Sequence, residues 1–585
     1  MLAKYLKLWG YVRRHWTVAA VMLVSVVALT GFRVLVPFLT GQAVNDIVGS
    51  QPASSVVTIA VEIVLVSGVS AAFGFGLSYG GQALGQKIVY DMRNTIFSAI
   101  QSQSFSFHDR NETGQLMSRA TGDVEAVRRF IAFGSAQLLS NLFLIGGVLV
   151  SLLYLDLYFT LIVLVVFPAI LILSWRFSLT QGPFWRLTRK NYGDMNTVLQ
   201  QNVAGERIVR SFTAEDNEIA RFGAANQAYR DGILGSAAVR AVYTPLLSLV
   251  VSLDLAALYF LGGGPVIAGT VSLGQLVAAA NLLALLSGPS RFLGQLILIA
   301  QNGMAGFERI LEVVEAESEV RDVPGAVPLE RVQGRVTFEK VKFGYGKGRE
   351  ILKGVDLEIV PGEGVAFVGL SGSGKTTMAN LVPRFYDATS GSVKLDGMDV
   401  RNVTLKSLRA SVGLVSQDIF LFSATLRENV SYGRPGAGLE EVKRVCRLAQ
   451  ADEFIERFPD GYDTRVGERG VTLSGGQKQR LAIARALLTD PQILILDDSL
   501  SSVDAGTEFA IGEALKEVVR GRTTIIITQR LATLRLAGRI VVFDGGLIAE
   551  QGTHDELLRS NGIYARLYRS QYAPQEEAMA PEADP

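Results

Sequence analysis

Six stretches in the first 300 residues stay apolar for about twenty positions or more, and nothing else in the 585-residue sequence restricts the fold as strongly. A helix needs ~20 mostly apolar residues to cross the hydrocarbon core of a bilayer. The segments at about 17–47, 55–80, 130–154, 157–178, 236–261 and 272–298 each qualify. Mean hydropathy is +0.29, yet the apolar excess is confined to residues 1–310, and residues 320–585 read as an ordinary α/β domain. The chain is therefore expected to be neither wholly soluble nor wholly embedded.

Lys plus Arg number 56 against 55 Asp plus Glu, so no basic surface for nucleic acid is expected. A single cysteine, Cys446, excludes an intramolecular disulfide and a cysteine zinc site. His15, His108 and His554 are too scattered to suggest a metal cluster. Residues 1–16 interleave Trp9, Tyr11 and Trp16 with Lys4, Lys7, Arg13 and Arg14. That pattern predicts a helix lying in the membrane interface. The apolar stretch that follows is too long for a cleavable signal.

The gaps at 48–54, 155–156 and 262–271 are short and hold no Lys or Arg, whereas those at 81–129 and 179–235 are long and rich in Arg. The positive-inside bias puts both termini and both long gaps in the cytoplasm. MRNTIFSAI and NTVLQQNVAGERIVRSF keep helical spacing. Such helices would run ~30 Å or more beyond the bilayer. Their tips, near 104–114 and 211–218, are expected to touch the carboxy-terminal half of this chain or of a second copy. Arg33, Glu62, Gln137, Asn141, Asp254, Asn281 and Arg291 fall inside the spans. Intramembrane ionisable groups are costly in lipid. Arg33, Glu62 and Asp254 are expected to line a substrate cavity; the alternative is that each snorkels or pairs with a neighbouring helix.

Residues 315–334 are polar, with prolines and glycines, and read as a linker. RVTFEKVKF then alternates like a strand, and GVAFVG reads as a buried one. It runs into GLSGSGKTT at 369–377, matching G-x-x-x-x-G-K-[ST]. Gly369, Ser371, Gly372, Ser373 and Gly374 allow the backbone to wrap a phosphate, with amides at the helix start pointing at it. Lys375 is expected to reach the β- and γ-phosphates, and Thr376, next to Thr377, to hold Mg²⁺. ILILD at 493–497 ends in Asp497, where a second Mg²⁺ ligand belongs. In LSGGQKQR at 473–480, Ser474 is expected to cap a helix opened by Gly475, Gly476 and Gln477. One nucleotide could then be clamped between the first site of one copy and the second site of another.

GLSGSGKTT, LSGGQ and ILILD, in that order after six spans with two long excursions, resemble an ATP-binding cassette exporter half-transporter over all but the tail. The resemblance implies six long transmembrane helices with cytosolic extensions joined to an α/β P-loop nucleotide-binding domain with a helical subdomain. The divisions would be an elbow helix 1–16, a membrane domain 17–314, the linker 315–334, a cassette 335–574 and a disordered acidic tail 575–585. It implies ATP and Mg²⁺ as ligands, membrane lipids as surroundings, and ATP-driven export of amphipathic small molecules, lipids or peptides across the cytoplasmic membrane. By the same resemblance Tyr345 stacks on adenine, and Gln417 senses Mg²⁺ and the γ-phosphate. VGERG at 466–470 meets the membrane-domain tips, and SSVD at 501–504, ending in Asp504, crosses the dimer interface.

Two positions depart from the family pattern. The residue after Asp497 is Asp498, where the family usually has the glutamate that aims the attacking water. Gln529 stands where the family has a histidine. A glutamine amide donates a hydrogen bond but does not handle protons as imidazole does. The signature Ser474–Gln477 is intact. The pattern implies one subunit of a heterodimer with a degenerate and a competent ATP site, whose paralogous partner carries Glu and His. A slow homodimeric exporter, or an ATP-gated regulatory protein in which hydrolysis is incidental, is the alternative.

Overall fold

The computed structural model describes residues 2–346, 348–467, 473–497, 512, 515–528 and 530–572. It divides into two compact units, Met1–Gln101 with Thr113–Ala316, and Ser102–Glu112 with Glu317–Pro585.

The first unit is helical. After α1 (Leu2–Arg14) come α2 (Trp16–Val48), α3 (Ala53–Ser102), α5 (Thr113–Leu155), α6 (Leu157–Ala204), α8 (Glu215–Ile267) and α9 (Leu273–Val314); the short helix α7 (Glu206–Ser211) lies at one turn, and α4 (Phe105–Arg110), between α3 and α5, is counted with the second unit. The helices outrun their apolar stretches: α3 has 50 residues, about 75 Å at helical rise. Breaks occur where local chemistry demands them. Asp156 is extended and its carboxylate caps α6 by accepting from the Tyr158 amide at 2.6 Å. Ser272 and Gln275 form a capping box at the start of α9. The second tip starts earlier than its polar run predicts. Gly205 interrupts α6, α7 intervenes, and α8 is already helical at Glu215 after Thr213 in the left-handed region.

The tightest crossing joins α2 to α9. The Gly274 amide donates to the Asn45 side-chain oxygen at 2.8 Å, and Asn45 donates to Ser272 Oγ at 3.1 Å. A Cβ placed on Gly274 would sit 2.0 Å from the Gly41 carbonyl oxygen. Only two bare backbones fit there, as expected where helices associate by close packing rather than by a hydrophobic force. Helix α1 is tied to α9 by the ion pairs Lys4–Glu308 and Lys7–Glu315 and by Tyr11 edge-on to Phe307. Leu8 is buried, while Trp9 and Trp16 stay exposed.

The polar residues of the spans separate into classes. Gln137 donates to Asn141 at 2.9 Å and Asn281 to Thr40 at 3.1 Å, so these are structural pairs. Arg33 and Glu62 are exposed. Asp254 is 0% exposed, and among the described residues neither of its oxygens has a hydrogen-bond partner. Its enclosure overturns the expectation that Asp254 lines a cavity. Asp254 is sealed one turn from Leu258, which belongs to an apolar cluster with Val163, Leu283 and Leu286. The side chain of Arg291 lies outside the described residues. An unpartnered buried polar group costs about 1–3 kcal/mol. Asp254→Leu is therefore expected to raise the thermal unfolding midpoint in detergent; a fall would mean the carboxyl has a partner.

The second unit holds two sheets. Strands β1 (Val336–Phe343), β2 (Leu352–Ile359), β4 (Ser390–Leu395) and β5 (Met398–Asp399) form an antiparallel sheet in the order β2-β1-β4-β5. Strands β3 (Gly364–Val368), β6 (Val412–Val415), β7 (Ile493–Asp497), β8 (Thr523–Ile527), β9 (Arg539–Asp544) and β10 (Leu547–Gly552) form the other, ordered β10-β9-β3-β8-β7-β6. It is parallel from β9 to β6. Strands β7 and β8 are buried at every residue, which is why they read as unbroken apolar runs. Helix α4 belongs to this unit. Phe105 stacks on Phe385 with centroids 4.2 Å apart, and Tyr386 donates to Asp109 at 2.7 Å. Glu319 accepts from Ser106 and Arg110, which hold its carboxyl below the usual range. The first tip thus rests on the carboxy-terminal half of its own chain.

Candidate nucleotide site

Strand β3 lies between β9 and β8, and the chain leaves its carboxyl end through residues 369–374 into α10 (Lys375–Leu381). Crevices at the carboxyl ends of parallel strands are where such sheets bind ligands. Gly369 has φ +152°, and a Cβ there would meet the Phe543 carbonyl oxygen at 2.3 Å. Gly374, at φ +107°, opens the helix. Both glycines are thus required by conformation and space. The loop curls so that Lys375 Nζ donates to the Gly369 and Leu370 carbonyls at 2.8 and 2.9 Å, with Ser373 Oγ at 3.4 Å. Ser371 and Gly372 lie at the exposed crest, while Ser373 is buried.

Asp497 ends β7 at the same sheet edge and is 7% exposed. Thr376 Oγ1 donates to Asp497 Oδ1 at 3.0 Å, across 121 residues of sequence. A hydroxyl and a carboxylate meeting beside a phosphate-shaped loop form an oxygen donor set that fits Mg²⁺. Gln417 is exposed two residues past β6, at the neighbouring strand end. Tyr345 is 39% exposed; Phe343 and Tyr386 pack against it at right angles, and its hydroxyl lies 3.3 Å from Thr377 Oγ1.

The signature segment stands elsewhere in the unit. Ser474 caps α11 (Gly475–Leu488): it accepts from the Gln477 amide at 3.3 Å, and its own amide donates to Gln477 Oε1 at 2.9 Å. The first-turn amides of such a helix have no intrahelical acceptor. Helix α11 packs with Val442, Cys446 and Ile455 in a helix-rich core that covers one face of the six-stranded sheet at Leu494 and Leu496, whereas α10 packs on the other face, at Ile493 and Ile495. Burial in that helical core pushes the Cys446 thiol up to about 12. The one cysteine is therefore expected to resist thiol reagents in the folded chain, and rapid labelling without denaturant would contradict its enclosure.

Asp498, Asp504 with its SSVD segment, Gln529, Glu468–Gly470 and the tail beyond Tyr572 lie outside the described residues. Two features escaped sequence reasoning. One is Arg485, which binds the Asn429 and Phe420 carbonyls at 2.8 and 2.9 Å and so ties α11 to the segment after Gln417. The other is the pair Phe385–Tyr386. Two consecutive aromatics just after a polar turn were the available signal.

The residues 19–290 match the family model described as ABC transporter transmembrane region, and 352–501 match the one described as ABC transporter. An uncharacterised ABC transporter ATP-binding protein of Bacillus subtilis, YknU, is 37% identical over 95% of this chain and 96% of its own. An ATP-dependent lipid A-core flippase of Syntrophus aciditrophicus is 36% identical over 95% of this chain and 92% of its own. A putative multidrug export ATP-binding/permease protein of Staphylococcus aureus is 35% identical over 98% and 100%. Among solved structures, a bacterial Atm1-family ABC exporter with ATP bound matches with TM-score 0.80 at 31% identity, covering 98% of this chain and 99% of that one. The chain belongs to the ABC exporter half-transporters, multi-pass membrane proteins that join a helical transmembrane region to an ATP-hydrolysing cassette.

Proposed function

We propose that this chain is one subunit of a heterodimeric exporter of the cytoplasmic membrane, moving lipids or other amphipathic compounds at the expense of ATP. The carrying observation is the Thr376–Asp497 contact beneath the phosphate loop, set against a signature helix capped on a separate core. The two helices pack on opposite faces of one sheet, and in this reading a second chain completes each half-site. The names of the flippase and the multidrug relative support the substrate class.

In this reading the amides of 369–374 and Lys375 hold the phosphates, Tyr345 carries adenine, and Ser474–Gln477 close the partner's nucleotide. Thr376, Asp497 and Gln417 would hold Mg²⁺, which when bound would supply positive charge against the β- and γ-phosphates. Asp498 aims the water from one methylene too far away, and Gln529 offers only an amide. Asp504 lies where the resemblance puts the interface loop. The chain thus lends a sound signature and keeps a slow site of its own. The paralogue's Glu and His would carry turnover.

The test is ATP-dependent uptake of a fluorescent lipid or amphipathic dye into inside-out vesicles. The chain together with its paralogue should transport and the chain alone should not. Equal rates for both would end the heterodimer reading. Lys375→Ala removes a charge-assisted phosphate contact of about 1.5–3 kcal/mol. It is expected to weaken ATP binding by equilibrium titration about 10- to 100-fold.

A further inference from the structure

The second unit holds an aromatic connection that hydrolysis does not require. After α10 the chain turns through Arg384, which is left-handed at φ +52° and 3% exposed. Its guanidinium grips Asp387 through two hydrogen bonds of 2.7 and 3.0 Å. The turn is closed further by the Phe385 amide donating to the Asn380 carbonyl at 3.1 Å. A braced turn presents Phe385 and Tyr386 in fixed positions. Tyr386 stands at right angles to Tyr345, with centroids 5.1 Å apart, and donates its hydroxyl to Asp109 on α4 at 2.7 Å. Phe105, on the same short helix, stacks on Phe385.

We propose that Tyr386 is a positioning residue through which occupancy of the adenine site is felt directly at the first cytosolic tip, α4. A base stacked on Tyr345 limits how that ring can rock. Tyr386 packs against the ring, so its own freedom falls, and the Asp109 hydrogen bond passes the restriction to α4. By linkage, fixing the tip then favours nucleotide to the same degree. The base, and not only the γ-phosphate, contributes to ordering the tip. This rests on the reading that Tyr345 carries adenine.

The experiment is hydrogen–deuterium exchange on peptides covering 102–112 in the purified full-length chain, with and without saturating Mg-ADP. ADP has the base but lacks the γ-phosphate. In the unmodified chain ADP should slow exchange there by about fivefold or more. Tyr386→Phe keeps the ring, and Asp109→Ala removes the acceptor at an exposed residue. Both should bind ADP within about threefold of the unmodified chain yet lose most of that protection. Tyr345→Ala should weaken ADP about 10-fold and show no protection at saturation. If the unmodified chain shows no ADP-dependent change, or if Tyr386→Phe and Asp109→Ala keep it in full, the relay is overturned. Normal ADP affinity in Tyr345→Ala would overturn the adenine platform and the relay with it. Weak binding there, with full protection in Tyr386→Phe, overturns the relay alone.

Discussion

Replacing Asp498 by glutamate together with Gln529 by histidine is expected to raise ATP hydrolysis by the purified chain about 100-fold. A carboxylate one methylene short of its water is displaced by roughly 1 Å, and misplacement on that scale costs about 100-fold in rate. The histidine restores a group able to handle a proton near neutral pH, which an amide lacks. Each single substitution should recover only part of the gain, because the two groups serve the same water and γ-phosphate and act as a unit. Phosphate release at saturating Mg-ATP is the measurement. A double variant no faster than its parent would show that Asp498 and Gln529 do not limit the site, and the heterodimer reading would lose its main support.

The largest structural effect is expected at the α2–α9 crossing. Gly274→Val should destabilise the membrane unit by about 2–4 kcal/mol. Overpacking alone costs about 1–3 kcal/mol. The substitution also forces the Gly41 carbonyl away and breaks the Gly274–Asn45 hydrogen bond, worth about another 1 kcal/mol. Gly146 provides the control: a Cβ there meets nothing within 4 Å. Gly146→Ala in the helix should be neutral or stabilising by about 0.5–1 kcal/mol. Unfolding midpoints in detergent compare the two. Similar midpoints for both variants would mean that α2 and α9 do not cross backbone to backbone at Gly41.

Much of the candidate site was legible because its chemistry is contiguous. The glycines, Lys375 and Thr376 sit within nine consecutive residues at 369–377, and Ser474 announces its own cap three residues before Gln477. Among the described residues, five of the six apolar segments fall in helices long and apolar enough to cross a membrane. Where reading failed, the missing information was rotational. Asp254 was expected beside a cavity because its depth along the helix can be counted, but whether its side chain faces open space or apolar neighbours depends on how α8 is turned about its axis. At the second tip the turn at 212–214 falls inside the expected 211–218, but the earlier break at Gly205 carries no polar signal.

The sequence by itself determined that the chain crosses a membrane, that it cradles a phosphate, and that Asp498 and Gln529 depart from a family pattern. Each of these depends on residue type and short spacing alone. Only the tertiary structure decided that Thr376 meets Asp497 across 121 residues, that Gly41 and Gly274 touch backbone to backbone, and that Tyr386 joins Tyr345 to Asp109. The reason is geometric. Strand order, helix rotation and turn conformation set which distant side chains meet, and no local propensity encodes them.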